Sequence, residues 1–248
     1  EAHRTGSDTY LEVLKYAGDN VKLIGLTGTP WREDSVMLDN FYADMAWMID
    51  MDEAFSRGYI VPTLPYAPVT PDLSDARTRR GDFVTADLDR IFLPYDHIVV
   101  EKYLELGQNR KAICFCNSVD QASRLVPLFR EKGIKAAAIY HGMGSGRKQI
   151  EVDFEAGRLQ VLLNIQVFTE GHDDPPTSCV IWATATQSRL KYVQATMRGI
   201  RAYPGKEDCI VIDLGNNTRR HGCVEDFMET ETIRTKCCPD CNFVVKET

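Results

Sequence analysis

Along residues 96–214, short continuous apolar runs alternate with segments whose apolar residues recur every three or four positions. The runs KAICFC (111–116), KAAAIY (135–140), QVLLNI (160–165), SCVIWA (178–183) and DCIVIDL (208–214) predict strands buried on both faces. The periodic segments between them predict helices from Asp96 to about Leu106, Val119 to Lys132, Gly146 to Ala156 and Leu190 to Ile200. Strands alternating with helices in this way predict an α/β fold built on a doubly wound parallel sheet.

The N-terminal part carries a shorter version of the same pattern. Tyr10, Leu11 and Leu14 sit at helical spacing, and VKLIGLT (21–27) then predicts a buried parallel strand ending in a turn-like GTP. MDEAFSRGYIVP (51–62) predicts a short helix stopped at Gly58 and an extended segment. Four prolines fall within 62–71, and 72–90 is polar with little period. The expected organisation is therefore the end of a first sheet domain (1–62), a crossing segment (63–95), a second and complete sheet domain (96–222) and a tail (223–248).

Composition narrows the class. Of 248 residues, 44% are hydrophobic and 26% charged, the balance of a globular protein, and charges interrupt every apolar run before it could span a bilayer. The pattern predicts neither a membrane span nor a secretory leader, and hence a cytoplasmic location. The net charge of −7 argues against a generic polyanion binder. The acid is concentrated in 33–53 and 225–231, however, whereas Ser188–Lys206 carries five Lys/Arg and no acid, and Arg219-Arg220-His221 follows. The eight cysteines do not form a disulfide framework: Cys114, Cys116, Cys179 and Cys209 lie inside predicted strands and act there as small hydrophobes.

Two stretches hold the candidate chemistry. In YVQATMRGIRAYPGK, Gln194, Arg198 and Arg201 would share one face of a helix and offer planar donor forks to oxyanions, although the same spacing also fits a solvated face. In NIQVFTEGHDDP (164–175), Gly171 would let backbone approach a ligand and Asp173 would accept from a ribose hydroxyl, and an ordinary Gly/Asp/Pro turn is equally compatible.

Taken in order, EAH at 1–3, LTGTP at 26–30, NIQVFTEGHDDP and QATMRGIR resemble motifs II, III, V and VI of the superfamily-two DEAH-type helicases and translocases. IDLGNNTRRHG followed by Cys-Pro-x-Cys is most similar to the RadD-like bacterial and phage helicases. The resemblance covers nearly the whole chain and implies two RecA-like domains with ATP and Mg²⁺ between them, DNA or another nucleic acid as partner, and a chain that begins within motif II. It implies that Glu1 activates the attacking water, that Arg198 and Arg201 are arginine fingers, and that His3, Thr27, Thr29, Gly171, Asp173 and Gln194 bind or couple the nucleotide. Asn117, Ser118, His141 and Thr169 would meet nucleic acid. Met197 stands where the family usually has glycine, with Gly199 on the other side of Arg198.

The tail sequence CCPDC offers Cys238 and Cys241 at the two-residue spacing of a zinc knuckle. Four ligands are needed, and Cys237, Cys223 and His221 are poorly placed, so a partial Zn²⁺ site is expected. The leading function is an ATP-dependent helicase or translocase, in the company of replication or repair proteins. The alternatives are a nucleic-acid-binding or regulatory module without ATPase activity, and the motor part of a restriction or repair nuclease. No GxxxxGK[ST] occurs in the 248 residues, so the chain alone is expected to turn over essentially no ATP.

Overall fold

The computed structural model describes residues 2, 5–18, 21–28, 38–165, 173–226 and 235–246. The chain divides into two compact units, Glu1–Asp50 and Met51–Thr248.

In the first unit, helix α1 (Asp8–Ala17) follows the predicted period, although none of its residues is buried. Thr5 is buried here, its hydroxyl bonded to the Ala2 carbonyl and the Tyr42 hydroxyl. A Cβ on Gly25 would lie 2.5 Å from the Tyr42 ring, so only glycine lets that ring close over the chain. The strand expected at 21–27 is not formed: the segment is extended, but Leu23, Ile24 and Leu26 are exposed. A strand exists only through pairing, and no strand of this unit is present among the described residues to pair with it.

The second unit is built on six parallel strands in the order β1-β8-β7-β4-β6-β5. They are β1 (Thr63–Tyr66), β4 (Ala112–Phe115), β5 (Ala136–Tyr140), β6 (Val161–Ile165), β7 (Cys179–Trp182) and β8 (Cys209–Asp213). Successive residues serve opposite faces. Cys114, Leu163, Ile181 and Ile212 pack with Val99, Tyr103, Leu125 and Phe129 of helices α4 (Asp96–Leu106) and α5 (Val119–Glu131). Phe115, Leu162, Val180 and Val211 pack on the other face with Phe154 of α6 (Gly146–Glu155) and with Tyr192 and Val193 of α7 (Arg189–Thr196). Burial on both faces explains why these strands read as uninterrupted apolar runs, and each fully buried large side chain contributes about 1.5–3 kcal/mol.

Helix α2 (Met51–Ser56) ends as expected, with Gly58 at φ 68°. The stretch 63–95, expected to be a crossing segment, carries the edge strand β1, a hairpin of β2 (Thr78–Arg79) and β3 (Asp82–Phe83), and helix α3 (Thr85–Phe92). Pro65 is compatible with β1 because an edge strand leaves one side unpaired. Beyond β8 come a short helix α8 (Asn217–His221) and an antiparallel hairpin of β9 (Thr235–Cys237) and β10 (Val244–Lys246), whose Phe243 ring meets Tyr66 edge-on at 5.3 Å.

Candidate functional site

The structure brings Arg201 and Asp173 together as an ion pair, with Arg201 Nη1 donating to Asp173 Oδ1. The expected single helical face does not form, because α7 ends at Thr196 and the chain turns through Met197–Gly199. Gly199 explains the turn: a Cβ there would lie 2.5 Å from Cys209 Sγ and 2.6 Å from Val180 Cγ2, so the backbone sits directly on the sheet. Arg198 is consequently 9% exposed within the turn, while Gln194 is half-buried on α7. Arg201 leaves the helix altogether and pairs as extended backbone with Ile60, flanked by the bonds Val61 N to Ile200 O and Ala202 N to Tyr59 O.

The next-door carboxylate has a different task. Asp174 is buried, accepts from Lys111 Nζ at 2.6 Å and from the Thr177 hydroxyl at 2.6 Å, and so fixes the loop from which Asp173 projects. Lys206 joins the two halves of this edge. Its Nζ donates to the carbonyls of Pro175, Thr177 and Arg201 at 3.0, 2.5 and 2.8 Å. Burial pushes the Lys206 ammonium down to about 8, despite the opposing fields of Cys209 and Asp174. A lysine after Pro204-Gly205 carries no periodic signal, which is why only the fold reveals it.

Of the nucleotide-site candidates, Glu1, His3, Thr29 and Gly171 lie outside the described residues, as does Thr169 of the nucleic-acid set. Thr27 is half-buried in the first unit. His141 is exposed on the turn after β5. Ser118 caps α5, its hydroxyl accepting from Gln121 N at 3.0 Å and donating to Asp89 Oδ1 at 2.6 Å. Asn117, at the C-terminal end of β4, is 7% exposed, and its backbone N–H donates to Gln121 Oε1.

The β2–β3 hairpin is a second feature that the sequence did not announce. Its Asp82 accepts from Thr186 Oγ1, Gln187 N and Lys191 Nζ at 2.8–3.0 Å, seating the hairpin at the C-terminal edge of the sheet. Burial raises the Asp82 carboxyl, but Lys191 and the Gln187 N–H outweigh it and hold the group below the ordinary carboxylate range. Arg77, Arg79 and Arg80 are exposed on and before its tip.

In the tail, Cys238 and Cys241 lie on one tight turn, closed by Cys238 N to Phe243 O and Asn242 N to Cys238 O, with Asn242 at φ 59°. The Cys241 and Asp240 N–H groups lower the Cys238 thiol, as a metal-binding thiolate requires. Among the described residues, however, no three His, Cys, Asp or Glu side chains converge, whereas a tetrahedral zinc shell needs four ligands.

The second unit is thus a parallel six-stranded sheet with helices on both faces that presents an Arg–Asp pair from its last loops. Residues 96–203 match the helicase conserved C-terminal domain. The chain is 27% identical over 261 positions to the 51.5 kDa protein of Lactococcus phage (isolate 7-9), covering 98% of this chain and 57% of that one. It is 29% identical over 240 positions to irc3 of Schizosaccharomyces pombe, a candidate mitochondrial ATP-dependent helicase, covering 89% of this chain and 38% of that one. A fragment structure of a candidate HsdR subunit of a type I restriction enzyme from Vibrio vulnificus YJ016 superposes with a TM-score of 0.70 at 18% identity, over 92% of this chain and 45% of that one. These findings support a superfamily-two helicase-type protein. The chain spans between about a third and 57% of the length of these curated relatives.

Proposed function

We propose that this chain is the nucleotide-sensing half of an ATP-driven nucleic-acid motor, most naturally one that translocates on or unwinds DNA. The observation that carries the reading is the Arg201–Asp173 pair, a guanidinium at the rim of the sheet held by an exposed carboxylate. Such a pair is easily exchanged: when a triphosphate carried by a P-loop domain arrives, Arg201 moves to the transferring phosphoryl group and Asp173 is released toward the ribose. Lys206 supports this role because it ties the Arg201 carbonyl to the carbonyls of Pro175 and Thr177 and so keeps the Arg201 backbone beside the 173–177 loop. Gln194 and Arg198 back this edge, and Glu1, His3, Thr27, Thr29 and Gly171 are assigned to nucleotide binding or coupling by their motifs. On the nucleic-acid side we assign Asn117, His141 and Thr169, together with the exposed arginines of the β2–β3 hairpin, which supply the phosphate contacts that an acidic chain needs locally. Ser118 acts indirectly, through the cap that holds Asn117.

The experiment is nucleic-acid-stimulated ATP hydrolysis by a protein that carries this chain together with a P-loop domain. Arg201→Ala should abolish the stimulation, and full activity in that variant would sink the assignment. The 248-residue chain alone should hydrolyse no ATP, and steady turnover by a pure sample would refute that part.

A further inference from the structure

At the C-terminal ends of β4, β6 and β7, where a parallel α/β sheet presents its ligands, lies a cavity of about 140 Å³. Asp82, Phe83, Thr85, Asn117, Thr184 and Lys191 are among its lining residues. Asn117 is the unusual member. Its backbone is fixed by Gln121, which is itself anchored on the Ala183 carbonyl at 2.8 Å. Yet its amide oxygen and nitrogen are both shielded from solvent and have no hydrogen-bond partner among the described residues. Burying an amide unpaired is unfavourable, so a group of this kind beside a cavity is accounted for by a ligand that completes it once the side chain turns into that cavity.

The cavity's chemistry says which ligand. Asp82 and Lys191 neutralise one another at 3.0 Å, so the walls offer an anion no net attraction and a phosphate would face the Asp82 carboxylate. Its size is close to that of a cavity of about 150 Å³ that holds one benzene ring, and well below the roughly 300 Å³ at which pockets for larger ligands begin. A neutral ligand of one six-membered ring with a donor and an acceptor on its edge fits both limits. An asparagine amide presents the complementary acceptor and donor side by side. Outside the cavity, Arg79 and Arg80 are exposed on the hairpin that supplies Asp82 and Phe83, a place for the phosphates on either side of such a ring.

We propose that this cavity receives one pyrimidine base turned out of a single strand and reads its edge through Asn117, an inference that rests on the nucleic-acid function above. The backbone contacts of such motors carry no sequence information, so a base pocket would give this one a preference at a single position.

The test uses the 248-residue chain and fluorescein-labelled twelve-nucleotide strands of deoxyadenosine whose centre is dT, dC, dA or an abasic site. Affinity is read by anisotropy at one fixed salt concentration. Strands with dT or dC should bind about tenfold tighter than the dA and abasic strands, the range expected of one paired base edge. Asn117→Ala and the space-filling Asn117→Leu should both remove that difference between the pyrimidine and the dA strands. Melting midpoints establish that the variants are folded, and neither loses a side-chain partner present in the structure. Equal binding of all four strands, unaltered by either variant, would overturn the pocket and leave the motor reading intact. Absence of binding to every strand would overturn both. Displacement of the strand preference by micromolar free thymidine or cytidine would assign the cavity to a free nucleoside and overturn its role in reading a strand.

Discussion

Arg201 donates to Asp173 across the rim of the second unit, joining a segment after α7 to the loop before β7. Both residues were named from separate motifs, and the fold makes them partners. Their exposed pairing adds little to stability, roughly 0–1 kcal/mol, so it is readily given up to a ligand. Arg201→Ala is therefore expected to leave the melting midpoint within a degree or two while reducing stimulated ATP turnover by about 10³-fold or more in the P-loop-containing protein. A large drop in stability with unchanged turnover would reverse that assignment.

Gly199 carries the opposite signature. Its substitution by alanine puts a methyl group on Cys209 Sγ and Val180 Cγ2 and forces the turn off the sheet. A loss of roughly 1–3 kcal/mol is expected in urea denaturation, with weaker turnover as a by-product because Arg201 moves with the turn. Unchanged stability in Gly199→Ala would mean that the sheet can yield there.

Lys206 gives a pH prediction. The folded chain holds this group near 8, whereas an unfolded lysine titrates near 10.4. Between these values the unfolded chain binds more protons, so the contribution of Lys206 to stability rises with pH across about 8–10 and is flat below about 7. Urea midpoints of the wild type and Lys206→Met, measured from pH 7 to 10, should diverge in favour of the wild type over that window. Parallel curves would contradict the buried environment.

Asn217 is a buried tie between the ends of β7 and β8. Its Oδ1 accepts from Thr186 N at 2.9 Å, and its Nδ2 donates to the Thr184 carbonyl at 2.9 Å and to Asp213 Oδ1 at 3.0 Å. Asn217→Ala leaves buried backbone groups without partners and is expected to cost roughly 2–4 kcal/mol. Thermal unfolding provides the check, and a neutral outcome would show that water replaces the amide.

Zinc provides a fourth kind of measurement. With no three potential ligands converging among the described residues, the 248-residue chain should hold Zn²⁺ no tighter than micromolar, as read by competition with a chromogenic chelator. Cys241→Ser should weaken even that. Nanomolar binding would reveal two further ligands outside the described residues.

The sheet was readable because its strands are covered on both sides. Residues such as Cys114-Phe115 and Ile181-Trp182 point into opposite cores, so hydrophobicity never lapses along the strand. Where the decisive contact was distant in sequence, reading failed. The end of α7 is set by Cys209 and Val180 pressing on Gly199, and nothing near Gly199 records that. VKLIGLT has the composition of a buried strand, but composition cannot provide a partner strand. The β2–β3 hairpin is too short to show alternation, and its seat is the bond from Asp82 to Thr186, over a hundred positions away. Likewise Ser118 reads as a phosphate contact and in the structure caps α5, while the side-chain amide of its neighbour Asn117 has no hydrogen-bond partner among the described residues.

The tail hairpin has a consequence for self-association. β1 is an outer strand, and an open outer strand is a template on which another molecule can extend the sheet. Here the Ala67 N–H is already taken by the Asn242 carbonyl, Tyr66 bridges to Phe243, and Pro65 has no N–H to give. The tail turn thus also serves as a stopper, so that the β1 edge of the sheet ends within its own chain.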